Sequence, residues 1–224
     1  MEKYGKFYTY ENPRLGKLSM LVIGQTAHRD QIDSLHSSVF GALPVMDFDE
    51  DYSKSDILSA NHIVINRDID TKDGLRKQVE YAREVLENPH WDMHDENQYM
   101  AEVMFYNTSN PDVARLRTLV TNSNFRHREN AGGYGLGKDI VQGATKEITS
   151  QGFRYIKGNS TEEAVSFYKH LDFDIEKIIV DTPDTYRRTH GKFITSVTNP
   201  KLIIPNKFQL DARLTGLATE MINK

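Results

Sequence analysis

The chain has 224 residues, a formal charge of −4, 38% hydrophobic and 10% aromatic residues, and no cysteine. That size and composition fit one domain, spanning 1–224, with a substantial core. The absent cysteines exclude disulfides, a cysteine nucleophile and thiolate metal sites, and the mild negative charge offers no basic face for nucleic acid.

Residues 1–14 are polar and tyrosine-rich, with no apolar signal core. No run reaches the length of a membrane span. The expectation is a cytoplasmic protein with no nucleic-acid or membrane partner.

Residues 17–24 are rich in β-formers and close on glycine, a first strand. Ile32, Leu35, Val39, Phe40 and Leu43 follow helical spacing. Residues 45–55 read as a loop carrying Asp47, Asp49, Glu50 and Asp51. Residues 62–66 are a short strand. Leu75, Val79, Ala82 and Leu86 put an apolar stripe on a helix over 73–87. His90 and His94, with Asp92, Asp95 and Glu96, would face a metal only if helical, and Asn88-Pro89 favours a loop. Residues 99–106 and 114–122 read as strands, the second central.

The glycine-rich stretch Gly132-Gly133-Tyr134-Gly135-Leu136-Gly137-Lys138 comes next, and Leu136, Ile140, Val141, Ala144 and Ile148 start a helix inside it. Glycines let the backbone approach a ligand closely. A helix start presents unpaired N–H groups and the positive end of the dipole, so the two together form a phosphate cradle. Lys138, Arg126 and Arg128 add positive charge. A ligand-free surface loop is the other reading.

Beyond it lie a strand over 153–157 and a capping box from Ser160 to Glu163. That box opens a helix with Ala164, Phe167, Tyr168 and Leu171 on one face. Two antiparallel strands follow over 175–181 and 192–197, then a connector or edge strand over 200–207. The last element is an amphipathic helix carrying Leu210, Leu214, Leu217, Ala218, Met221 and Ile222. It packs on its own domain or joins two copies into a homodimer.

Three phosphate-loop patterns compete. The G-x-x-x-x-G-K form meets Asp139 where Ser or Thr would hold magnesium, and no buried strand precedes it. The G-x-G-x-x-G form fails, its last glycine falling on Lys138 or Ile140. The third is a family likeness: the loop, followed by Ala164-x-x-Phe167-Tyr168-x-x-Leu171-Asp172-Phe173, resembles the acetyl-CoA-binding core of the GNAT-type N-acyltransferases. The family's Arg or Gln ahead of the loop falls on Gly132 in one register and Asn130 in the other. The likeness covers about 101–196.

The resemblance implies a mixed α/β (α+β) fold: a mainly antiparallel central sheet flanked by helices. The core would span about 98–198, with 67–97 inserted and 200–224 as a C-terminal extension. It implies acetyl-CoA as co-substrate and a primary amine, on a small molecule or a peptide, as acceptor. Gly133, Tyr134, Gly135, Leu136, Gly137 and Lys138 would hold the pyrophosphate, and Leu119, Val120 and Thr121 the pantetheine arm. Tyr168 would protonate the leaving thiolate. Glu102, in the strand beside the central one, is the candidate general base through water; otherwise it is an ordinary outward-facing strand residue. A non-catalytic protein of the same fold, or a nucleotide-binding α/β protein, remains open.

Overall fold

A computed structural model of the chain describes residues 2–26, 57–87, 98–108, 112–125, 133–177 and 189–224. The helix expected around Ile32–Leu43, the acidic loop, the His90 to Glu96 segment, Arg126, Arg128 and Gly132 lie outside the described residues.

Nine strands form one sheet in the order β7-β8-β6-β5-β4-β3-β2-β1-β9. They are β1 Glu2–Asn12, β2 Gly16–Thr26, β3 Ile57–Arg67, β4 Ala101–Thr108, β5 Val113–Thr121, β6 Tyr155–Thr161, β7 Asp174–Lys177, β8 Thr189–Ser196 and β9 Gln209–Leu210. Every neighbouring pair is antiparallel except β5 and β6. Four α-helices accompany it among the described residues: α1 Lys72–Glu87, α2 Leu136–Ser150, α3 Glu162–His170 and α4 Ala212–Ile222. This is the mixed, mainly antiparallel architecture that the resemblance implies.

Strand residues alternate between faces, so the sheet has two cores. Met20, Val22, Ile63, Val103 and Leu116 pack with Leu136, Ile140, Ala144 and Tyr168 on the face covered by α2 and α3. Leu21, Ile23, Val64 and Met104 pack with Leu75, Val79, Leu86, Leu214 and Ala218 on the other face, under α1 and α4. Covered on both faces, β2 is buried from Leu18 to Gln25, which explains its unbroken apolar run.

The last helix packs on its own domain. Asp211 caps it, accepting from Leu214 N–H at 2.9 Å. Its Thr215 and Thr219 hydroxyls accept from the backbone of Phe7 and Gly5 at 2.9 and 3.2 Å. A Cβ on Gly5 would stand 2.9 Å from that of Ala218, so the helix sits directly on β1.

Several expectations need correction. The chain begins with a strand, β1, in the stretch read as merely polar, because Phe7, Tyr8 and Tyr10 are buried by their neighbours. The strand over 17–24 is therefore the second. The short strand over 62–66 runs for 11 residues. The capping box does not form: β6 extends through Ser160, the cap residue is Thr161, and no side chain caps the helix. Ser160 instead donates to the Thr161 carbonyl at 2.8 Å. The connector over 200–207 is a run of turns, and the edge strand is β9, which takes Leu210 out of the last helix.

Candidate functional site: a fork between β5 and β6 beside a glycine-capped helix

β5 and β6 run parallel from Val113 opposite Tyr155 to Leu116 opposite Gly158, and there their pairing ends. Beyond it β6 continues on β8. Residues 117–121 continue on β4, with Val120 opposite Glu102 and Thr121 opposite Ala101. A fork opens between the strands, with no strand in it among the described residues.

Two features mark the branch point. The β4–β5 register steps from Phe105 opposite Leu116 to Met104 opposite Thr118, which leaves Arg117 as the extra residue of a bulge. Bulges turn a strand and raise its twist. At the last closed rung, a Cβ on Gly158 would lie 2.5 Å from the Phe193 ring and 2.9 Å from the Leu116 carbonyl. Only glycine fits there.

The glycine loop lies at the open end. Gly135 caps α2 in the left-handed region at φ 78°, a conformation costly for residues with a Cβ. The first helical bond runs from Asp139 N–H to the Gly135 carbonyl at 2.9 Å. The N–H groups of residues 134–138 find no acceptor among the described residues. Five donors at the positive end of a 15-residue helix suit a bound anion. A Cβ on Gly137 would meet the Phe167 ring at 3.1 Å and the Thr121 hydroxyl at 3.7 Å. Loop, β5 end and α3 therefore converge. Tyr134 is exposed, its ring edge-on to Phe125 at 5.9 Å, and Lys138 is exposed.

Tyr168 is buried in the same core, stacked on Phe193 at 4.2 Å and against Phe173 and Phe167 at 5.2 and 5.1 Å. Burial pushes its phenol well above the ordinary tyrosine range. It keeps its proton, the form that can donate. Leu119 packs against this core and Val120 against the opposite one.

Glu102 is on the face away from Tyr168, 1% exposed. Its Oε2 lies 3.0 Å from His62 Nε2 and accepts from the Tyr81 hydroxyl at 2.9 Å. His62 Nδ1 lies 3.1 Å from the Ala82 carbonyl. A carbonyl only accepts, so Nδ1 carries hydrogen.

Thr121, Gly137 and Tyr168 thus gather on one face, and Glu102 and Val120 share the other. Sequence reasoning missed Arg117, whose bulge depends on strand pairing and leaves no local pattern. Burial, with Arg115 nearby, lowers its guanidinium to about 10, against the opposing effect of Tyr106. Also missed were His62 and Tyr81, and the contacts that Asn12, Arg14 and Lys207 make around the start of α2. Among the described residues no three His, Asp or Glu gather as a metal site, and no helix is long and apolar enough to cross a membrane.

No protein-family profile matches the sequence, and no curated protein does. Solved structures do. A Lactobacillus plantarum protein described as a candidate N-acetyltransferase matches at 15% identity and TM-score 0.43, over 80% of this chain and 98% of its own. A Desulfovibrio desulfuricans protein described as a candidate acetyltransferase of the GNAT family matches at 9% and 0.41, over 80% and 99%. The ribosomal-protein-S18-alanine N-acetyltransferase of Escherichia coli matches at 11% and 0.38, over 79% and 94%. The chain is similar in outline to GNAT-type acetyltransferases.

Proposed function

We propose that the protein is an acetyl-CoA-dependent N-acetyltransferase acting on a primary amine. The observation that carries this reading is the fork between β5 and β6, opening beside the glycine-capped start of α2. An extended arm with amide groups can lie along the edge of β5 where pairing with β6 has ended, while a diphosphate meets the helix start. The residues fit the co-substrate: donors for the diphosphate at 134–138, the stretch of β5 beyond its pairing with β6 for the pantetheine arm at Leu119, Val120 and Thr121, and an acid at Tyr168.

In this mechanism the strand edge holds the thioester in line with the amine, so the reaction gains from fixed geometry. Backbone donors near the Arg117 bulge stabilise the charge developing on the carbonyl oxygen. The neutral amine attacks the carbonyl carbon, the C–S bond breaks, and Tyr168 gives its proton to the departing sulfur. Glu102 takes the proton lost by the amine, through water. Tyr81 and His62 fix its orientation.

Calorimetric titration with acetyl-CoA, with ATP and magnesium as control, tests the reading. Saturable binding of acetyl-CoA alone, followed by amine-dependent thiol release, is expected. Binding of ATP alone would return the glycine loop to the nucleotide-binding class. Binding of acetyl-CoA without turnover on any amine would leave a non-catalytic binding protein.

A further inference from the structure

The β1–β2 turn, far from the loop in sequence, holds the loop by its carbonyls. Arg14 Nη1 donates to the Gly133 carbonyl at 3.0 Å, and Asn12 Nδ2 donates to the Tyr134 carbonyl at 2.9 Å. In a trans peptide the C=O and the following N–H point in opposite directions. With both carbonyls drawn toward the turn, the N–H groups of Tyr134 and Gly135 face away from it. They belong to the five donors that find no acceptor among the described residues.

The clamp is itself fixed. Asn12 is 3% exposed. Its Oδ1 accepts from the N–H of Arg14 at 2.9 Å and of Leu15 at 3.1 Å, and its Nδ2 also donates to Asp139 Oδ2 at 2.8 Å. Asp139 places a negative charge in the first turn of α2, where it would oppose a second anion. Lys207 answers that charge, donating to Asp139 and, at 2.7 Å, to Gln142 Oε1. Its ammonium stands 5.3 Å from the centres of the Tyr10 and Phe208 rings. Pieces from both ends of the chain thus converge on the helix start.

We infer that the β1–β2 turn is a working part of the co-substrate site, in which Asn12 and Arg14 are positioning residues that aim the glycine-loop donors at the diphosphate. This rests on the acetyltransferase reading above. Arg14 is exposed, so its replacement leaves the core intact, whereas Asn12 is buried and its replacement carries a folding cost.

The test is calorimetry on the full chain with two probes, acetyl-CoA and acetylpantetheine, the second lacking the diphosphate. Arg14→Ala should weaken acetyl-CoA about 10-fold, the scale of one charge-assisted hydrogen bond. It should leave acetylpantetheine affinity and the melting temperature unchanged. Arg14→Lys, which keeps the charge but loses the planar fork, should recover part of the loss. Unchanged acetyl-CoA affinity in Arg14→Ala, or equal weakening of both probes, would overturn the inference while the acetyltransferase reading stands. A wild-type chain that binds no acetyl-CoA would remove that reading and this one with it.

Discussion

β5 behaves as two strands. Its first half is paired with β6 from Val113 to Leu116, and from Ala114 to Leu116 it is paired with β4 on the other edge as well. Its second half, residues 117–121, has β4 alone as a strand neighbour among the described residues. The closed half is built for stability: Ala114 and Leu116 are buried and Gly158 admits no side chain. The open half keeps Leu119, Val120 and Thr121 only partly buried. A sheet gains rigidity where strands zip, and gains a binding edge where they part. Here one bulged residue, Arg117, separates the two regimes.

The largest effect is expected beneath the open half. His62→Ala removes the imidazole that Glu102, directly across from Val120, meets at 3.0 Å in a buried pair. A loss of about 3–5 kcal/mol is expected from removing one member of such a pair, read by denaturant unfolding. Glu102→Gln tests the proposed base: amine-dependent turnover should fall while acetyl-CoA affinity holds. The closed half is attacked by Gly158→Ala, whose new methyl strikes the Phe193 ring and the Leu116 carbonyl. Overpacking of this kind costs about 1–3 kcal/mol, and the midpoint of unfolding should shift accordingly.

Tyr168→Phe separates chemistry from folding. Turnover should drop about 100-fold, within the range for loss of a general acid, with acetyl-CoA affinity and stability close to wild type. The smallest effect is expected at Gly135→Ala. Nothing lies within 4 Å of the added Cβ, so the cost is the left-handed backbone alone, about 1–2 kcal/mol. Acetyl-CoA affinity should fall several-fold as the loop relaxes.

Much of the fold could be read along the chain because the signals were local. The apolar stripe of α1, the glycine start of α2 and the helix bearing Phe167 and Tyr168 are periodic patterns that neighbours reinforce. β1 escaped because its burial comes from β2 and α4, at opposite ends of the sequence. Ser160 and Glu163 have the right letters for a cap, yet pairing with β8 carries the strand past Ser160 and overrides the local preference. Within the site, the glycine loop was visible, but its carbonyl partners Asn12 and Arg14 were not, since more than a hundred residues separate them. The Glu102–His62–Tyr81 cluster likewise exists only once β3, β4 and α1 have packed.

The most direct test of the open half is backbone amide exchange measured with and without acetyl-CoA. Protection should rise at residues 117–121 and at 134–138, while residues 114–116, already paired on both edges, change little. Protection gained elsewhere, with these two stretches unchanged, would contradict the fork as the co-substrate site.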